Sequence, residues 1–389
     1  MRLLPAVAQT ATSTPGTTVR LQSGSRNQVA TESQSNRNPC PSHHGKGSAL
    51  SVVQDLLVAT AVRPEPARLS RVVFVVCPSY HGATLLAALL NNHSQISALG
   101  DMLPLPGHTC WCGKPPDECP FWRSVAERLD VSRPSELTTQ LPAYAWPLTQ
   151  RPLDGGVVRW SGSVRLNRAA GRVARTAVDL ALPAIWRAHP RPPAEFTRSY
   201  RSFYEFVVEQ QGTSVFVDGQ KSWRKAALLA QRLQPDVDVR IVHLLRDPRG
   251  FADSSRRHEG GGLRQSGWLW KDLHRRMVAL QQLAPYHALR YEDLCSVPEQ
   301  ELPRLFDFIG VEPEDVVCPP KQLHKHHGLG NAALLRFAGD ITYDGRWRIS
   351  LTTAEQNTIL RAAGPLARQY QYHPLRLSRP SALMNRSWP

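Results

Sequence analysis

Two short stretches of the chain bring together residue types that suit a highly charged anion. Pro78-Ser79-Tyr80-His81-Gly82-Ala83-Thr84-Leu85 follows a β-branched apolar run and opens a helical pattern. There Gly82 permits close backbone approach, successive N–H groups converge, and the helix start adds partial positive charge. Thr84 supplies a hydroxyl donor to the same oxygens. Gly-x4-Gly-Lys-Ser/Thr is absent, which speaks against an ATP/Mg²⁺ enzyme. The second stretch is Arg246-Asp247-Pro248-Arg249-Gly250, with Ser254 eight residues after Arg246. Arg246 ends an apolar strand pattern, so its guanidinium is expected at the carboxyl edge of a sheet. Asp247 suits a helix cap and Pro248 the first helical position. A guanidinium fork with a nearby hydroxyl fits a terminal phosphate. A capped helix with a local ion pair is the plainer reading of Arg-Asp-Pro-Arg alone.

These residues need a scaffold, and the apolar pattern supplies one. Residues 72–77 read as a strand buried on both faces, followed after the turn by a helix over 83–90. The alternation recurs: strands over 215–217, 239–245 and 287–291, and helices over 225–233, from Pro248, and over 298–309. Leu269, Leu273, Met277, Leu280 and Ala284 form a further stripe at helical spacing. Such alternation predicts a three-layer αβα fold with a central parallel sheet, a P-loop-like phosphate-binding strand–loop–helix and a helical insertion.

The domain is expected over residues 69–375, after a flexible segment over 1–68 and before a tail over 376–389. Its insertion spans about residues 100–210; within it, ten arginines between Arg151 and Arg201 face only Asp154, Asp179 and Glu195. That region is either a solvated helical surface or a basic wall toward an acidic acceptor. The chain as a whole has 47 Lys+Arg against 32 Asp+Glu, a net charge of +15. This favours an anionic ligand or surface. A nucleic-acid partner is not expected, because no module for one is recognisable. No apolar run approaches the roughly 18 residues of a membrane span, so no integral membrane segment is expected. Residues 1–50 carry Glu32 as their only acid together with several arginines, the make-up of either an organelle transit peptide or an unstructured bacterial tail. Seven cysteines exclude a disulfide-dense secreted scaffold and slightly favour a reducing compartment, so a cytoplasmic location is expected. His108, Cys110, Cys112 and Cys119 gather within twelve residues. Their C-x-C-x6-C spacing is not the paired C-x2-C of zinc sites, and zinc, a disulfide and free thiols all stay open.

Taken together, the two anion-binding stretches resemble the PAPS-dependent sulfotransferase family, over roughly residues 71–350 (PAPS is 3′-phosphoadenosine 5′-phosphosulfate). The resemblance implies that Tyr80, His81, Gly82, Ala83, Thr84 and Leu85 hold the 5′-phosphosulfate and that Arg246 and Ser254 hold the 3′-phosphate. Tyr291-Glu292-Asp293-Leu294, and Gly330-Asn331 followed by Arg336 and Trp347, also look familial, with Arg336 a further cofactor contact. One departure matters: Tyr80 stands where relatives carry Arg or Lys, and His81 where they carry Ser. His81 or Lys221 is then expected to supply the missing donor. The implied reaction moves a sulfuryl group from PAPS to an acceptor hydroxyl or amine by in-line displacement, without a metal. Asp101 is the expected base, His81 its rival. A similar Cys-rich loop ending in Phe-Trp in some relatives implies a structural role near the acceptor entrance. Trp268, Trp270 and Trp347 are candidates to stack on adenine, the first two more naturally packing in the core. The acceptor class stays open, with a carbohydrate favoured by the basic insertion. A small-molecule P-loop kinase and a catalytically degenerate nucleotide-binding protein are the alternatives.

Overall fold

The computed structural model describes residues 68–100, 109–137, 194–317, 325–327, 339 and 341–373. Asp101, His108, Arg336, the segments before 68 and after 373, and the arginines from 151 to 191 lie outside the described residues. Five strands form one sheet: β1 (Arg71–Val76), β2 (Ile96–Ala98), β3 (Val215–Lys221), β4 (Asp238–Leu245) and β5 (Tyr286–Arg290). Their order is β2-β3-β1-β4-β5, and every pairing is parallel. The central strand explains its own sequence. Val72, Phe74 and Val76 enter one core, while Val73 and Val75 enter the other, so an uninterrupted apolar run is needed. Fully burying each such side chain contributes about 1.5–3 kcal/mol.

Helices cover both faces. α1 (Ala83–Asn91), α7 (Tyr291–Ser296) and α8 (Pro298–Ile309) contribute Leu86, Leu89, Leu294, Leu305 and Phe306 to the second core. On the other face lie α2 (Pro120–Arg128), α3 (Ala194–Gln211), α4 (Trp223–Leu233) and one side of α6 (Leu263–Val278). α5 (Pro248–Glu259) and α6 pack with α10 (Thr353–Gln369) through Phe251, Trp270 and Leu360, and the short α9 (Trp347–Ser350) precedes α10. The result is a three-layer α/β fold. The stripe expected to run on to Ala284 stops short, because α6 ends at Val278 and a single 3₁₀ turn, Ala279–Gln282, follows.

One buried ion pair fixes the end of β3. Lys225 Nζ lies 2.5 Å from Asp218 Oδ2, both side chains 1% exposed, and Tyr204 Oη donates to the same oxygen at 2.5 Å. A charge removed from water this far is tolerable only with such partners. Asp218 is thereby a structural residue, and Lys221 emerges three residues later at the carboxyl edge, in register with Val76 of β1.

Candidate anion-binding site

The loop between β1 and α1 turns sharply. Tyr80 has φ 66° and Gly82 φ 85°, and no side chain among the described residues caps the start of α1. Gly82 also has a packing reason: a Cβ there would stand 2.4 Å from Tyr291 Cδ2. The first-turn amides of α1 are therefore left to an external acceptor, with Gly82, Thr84 and Leu85 partly exposed and Ala83 buried.

Arg246 reaches this loop from β4. It is buried, its Nη1 donates to Tyr80 O at 2.5 Å, and its guanidinium lies 4.9 Å from the Tyr291 ring centroid. Its Nη2 is held by Asp344, through the carbonyl at 3.1 Å and Oδ2 at 3.0 Å. Arg346 Nε donates to Asp344 Oδ1 at 2.7 Å, and these two arginines hold the Asp344 carboxyl well below the usual carboxylate range. An anion approaching Arg246 thus meets a carboxylate already in place. On α5, Asp247 caps Arg249 N at 2.8 Å and takes the Arg249 guanidinium as a bidentate partner at 2.9 and 2.6 Å. Ser254 is buried on the same helix and accepts from Arg257 Nη2 at 3.3 Å. Trp347 is buried beneath Arg249, whose guanidinium lies 4.2 Å from its ring. Trp270 is buried as expected, its indole N–H donating to Arg246 O at 2.8 Å. Trp268 differs from the packing expectation: it is 42% exposed, with Arg264 over its ring at 4.6 Å.

His81 turns inward, only 1% exposed, and begins a hydrogen-bonded chain that the sequence did not reveal. Its Nδ1 lies 2.9 Å from Ser79 O and its Nε2 3.0 Å from His274 Nε2; His274 Nδ1 is 2.6 Å from His243 Nε2. His243 Nδ1 meets Tyr286 Oη, which is bonded in turn to Tyr370. A carbonyl only accepts, so His81 carries its proton on Nδ1, and every later bond must point the same way, from Tyr370 toward the loop. Burial lowers the pKa of His81 and of His243 to about 3 and holds that of His274 well below the usual imidazole value, so the three rings are neutral near pH 7. His81 therefore keeps both ring nitrogens on internal partners, Ser79 O and His274, away from the donor and base roles expected for it.

The Tyr80 side chain is also committed elsewhere. It stacks on His258 with centroids 5.2 Å apart and donates to Glu259 Oε1 at 2.9 Å. Lys221 also stands at this edge, close enough to His81 for its charge to depress that ring's pKa further, and it holds a positive φ of 66°. Two residues before it, Gly219 packs on Gly100, where a Cβ would fall 2.2 Å from the Gly100 carbonyl oxygen.

Glu292 joins the two loops to the rest. Asp247 N donates to its Oε1 at 2.9 Å and Tyr372 Oη to its Oε2 at 2.9 Å, and burial raises its pKa. The acidic run after β5 was the signal for it; nothing in the sequence pointed to His274, His243 or Asp344.

Comparison with known proteins bears on the whole arrangement. The profile described as Sulfotransferase family matches residues 73–315. Among solved structures, the sulfotransferase domain of the Synechococcus PCC 7002 olefin synthase is 17% identical with a TM-score of 0.42, covering 78% of this chain and 97% of that one. The sulfotransferase domain of the curacin biosynthetic pathway gives 16%, a TM-score of 0.43, and 79% and 99%. Sulfotransferase STF9 from Mycobacterium avium gives 13%, 0.33, and 70% and 76%. No curated protein matches the chain.

Proposed function

The chain belongs to the sulfotransferase family, and on that premise we propose that it moves a sulfuryl group from PAPS to an acceptor hydroxyl or amine, releasing adenosine 3′,5′-bisphosphate. The observation that carries this reading is the meeting of an uncapped helix start with a buried guanidinium, Arg246 Nη1 touching Tyr80 O of the same loop at 2.5 Å. The residues fit an anionic nucleotide. The α1 amides have no side-chain cap, and Arg249 Nη1 is a buried donor without an acceptor among the described residues. A donor in that state costs about 1–3 kcal/mol until something accepts from it.

In this reading the amides of Gly82, Ala83, Thr84 and Leu85, with the Thr84 hydroxyl, hold the 5′-phosphosulfate. Arg246 and Ser254 hold the 3′-phosphate, the ligand displacing Asp344 from Arg246, and Arg336 adds a further contact. PAPS supplies the activated sulfuryl group. As the acceptor oxygen or nitrogen bonds to sulfur, the bond from sulfur to the bridging phosphate oxygen breaks, and the acceptor's proton passes to the Asp101 carboxylate. Lys221 stabilises the charge that builds on the leaving phosphate, taking the place of the loop cation that Tyr80 does not provide.

A thermal-shift comparison tests the ligand. A saturating excess of adenosine 3′,5′-bisphosphate, about 100 times its dissociation constant, stabilises the fold by about 2.7 kcal/mol, and ATP/Mg²⁺ gives no comparable shift. The reverse result would make the protein a kinase-like binder instead. A second reading has its own support: Tyr80 and His81 are both committed away from the loop, as in a nucleotide-binding protein without turnover. Sulfation of any acceptor by the wild-type protein, lost in Lys221→Ala with bisphosphate binding kept, decides against that reading.

A further inference from the structure

Away from the nucleotide loops, three thiols and an imidazole converge on a common point. Cys110 Sγ and Cys119 Sγ each lie 3.4 Å from His326 Nδ1, and Cys112 Sγ lies 3.5 Å from Cys119 Sγ. All four ligand atoms fall within 4.8 Å of one another, and none of the three cysteines is in a disulfide. A zinc tetrahedron with Zn–S of about 2.3 Å and Zn–N of about 2.0 Å has edges of about 3.8 Å between sulfurs and about 3.5 Å from sulfur to nitrogen. The three separations of 3.4, 3.4 and 3.5 Å lie within a few tenths of an ångström of those edges.

Each ligand is held by contacts that do not involve its donor atom. Cys110 and Cys112 share a tight turn, closed by Cys110 N to Lys114 O and Gly113 N to Cys110 O, both at 2.9 Å, with Gly113 at φ 81°. Cys119 sits at the N-cap of α2, its N–H given to Pro115 O at 3.0 Å. His326 lies flat on Phe121, centroids 4.5 Å apart and planes 3° from parallel. Its flanks are pinned as well: Asn91 Nδ2 donates to His326 O at 3.4 Å, and Trp122 Nε1 donates to His327 O at 3.3 Å. A disulfide would use two of the thiols and leave the third and the imidazole without purpose. The spacing of the cysteines hid this arrangement, because the fourth ligand is His326, 216 residues beyond Cys110.

We propose that Cys110, Cys112, Cys119 and His326 bind one zinc ion. Four protein ligands leave no open coordination position, so the site is structural and takes no part in the transfer reaction. It clips the turn and helix start that follow β2 to residues 325–327, closing a loop of more than two hundred residues that chain entropy opposes.

The full-length protein, purified under reducing conditions without chelator from zinc-supplemented cells, should contain one zinc per chain by elemental mass spectrometry. Exchange with Co²⁺ should give the intense visible bands of a tetrahedral site and sulfur-to-cobalt charge transfer in the near ultraviolet. Cys112→Ser removes the exposed ligand and should weaken zinc binding by at least about tenfold. Chelation should lower the melting temperature of the wild type more than that of this variant. The proposal is overturned if the wild type carries no zinc and its cobalt spectrum is that of an octahedral aquo ion, or if its intact mass reveals a disulfide among these cysteines. Should Cys112→Ser fail to fold, the wild-type zinc content and cobalt spectrum decide alone.

Discussion

At the start of α1 the cap is Gly82, left-handed and without a side chain; at the start of α5, one strand away, the cap is Asp247, with Pro248 after it and Arg249 folded back onto its carboxylate. Both units share one plan, a buried parallel strand leading through a short turn into a helix. The first leaves its helix amides for an outside anion. The second fills them with its own carboxylate and can grip a ligand only through side chains. In the proposed function, these become two binding modes for the two ends of one nucleotide, set by a single difference in capping.

The supports of the two turns differ as sharply, and acid should separate them most. The β1–α1 turn rests on neutral histidines. Unfolded histidines take up protons near pH 6.5, whereas His81 and His243 resist until about 3. Their contribution is thus fully present above pH 6.5 and is lost as pH falls toward 3. With His274 shifted in the same direction, stability should decline progressively as pH falls below 6.5. The β4–α5 turn rests instead on the Asp247–Arg249 ion pair. Melting curves taken across that range check this, and a flat profile would mean the histidine chain is hydrated.

Gly82→Ala comes next. A left-handed φ and a 2.4 Å contact with Tyr291 together should cost about 3 kcal/mol and abolish the bisphosphate thermal shift. An unaltered shift would show that the α1 amides are not the grip. Arg246→Ala should weaken the bisphosphate by about 1.5–3 kcal/mol for each charge-assisted bond lost, read by titration calorimetry. Asp247→Ala should cost about 0.5–2 kcal/mol of stability, because α5 depends on its cap where α1 does not. The smallest effect is a gain: Asp344→Asn removes the carboxylate that competes for Arg246 and should tighten the bisphosphate several-fold. Weaker binding in that variant would make Asp344 a positioning partner and not a competitor.

The sequence made the scaffold legible where physics leaves a periodic mark. β1 and β4 are buried on both faces, so their apolar runs stand out, and Asp247-Pro248 announces a helix start by residue type alone. β2 was missed because three residues, Ile96-Ser97-Ala98, carry no period. α10 was missed as well, although Thr352 and Glu355 form a capping box before it. The site was readable as far as its residues are local. Arg246, Ser254 and Gly82 belong to short motifs, while Asp344 reaches Arg246 across 98 positions and His274 reaches His81 across 193. Contacts that remote leave no trace in spacing. The inward turn of His81 left no trace for the same reason, since its environment is built by α6 and β4 and not by its neighbours in sequence.

The last described turn of the chain carries both Tyr370 and Tyr372. One hydroxyl ends the histidine chain that reaches Ser79, and the other holds Glu292 on the amide of Asp247. During synthesis these two tyrosines leave the ribosome after every other part of the pocket described above. Both turns then set only once the segment carrying Tyr370 and Tyr372 has docked, and a chain shortened before Tyr370 should keep its sheet yet lose the bisphosphate thermal shift.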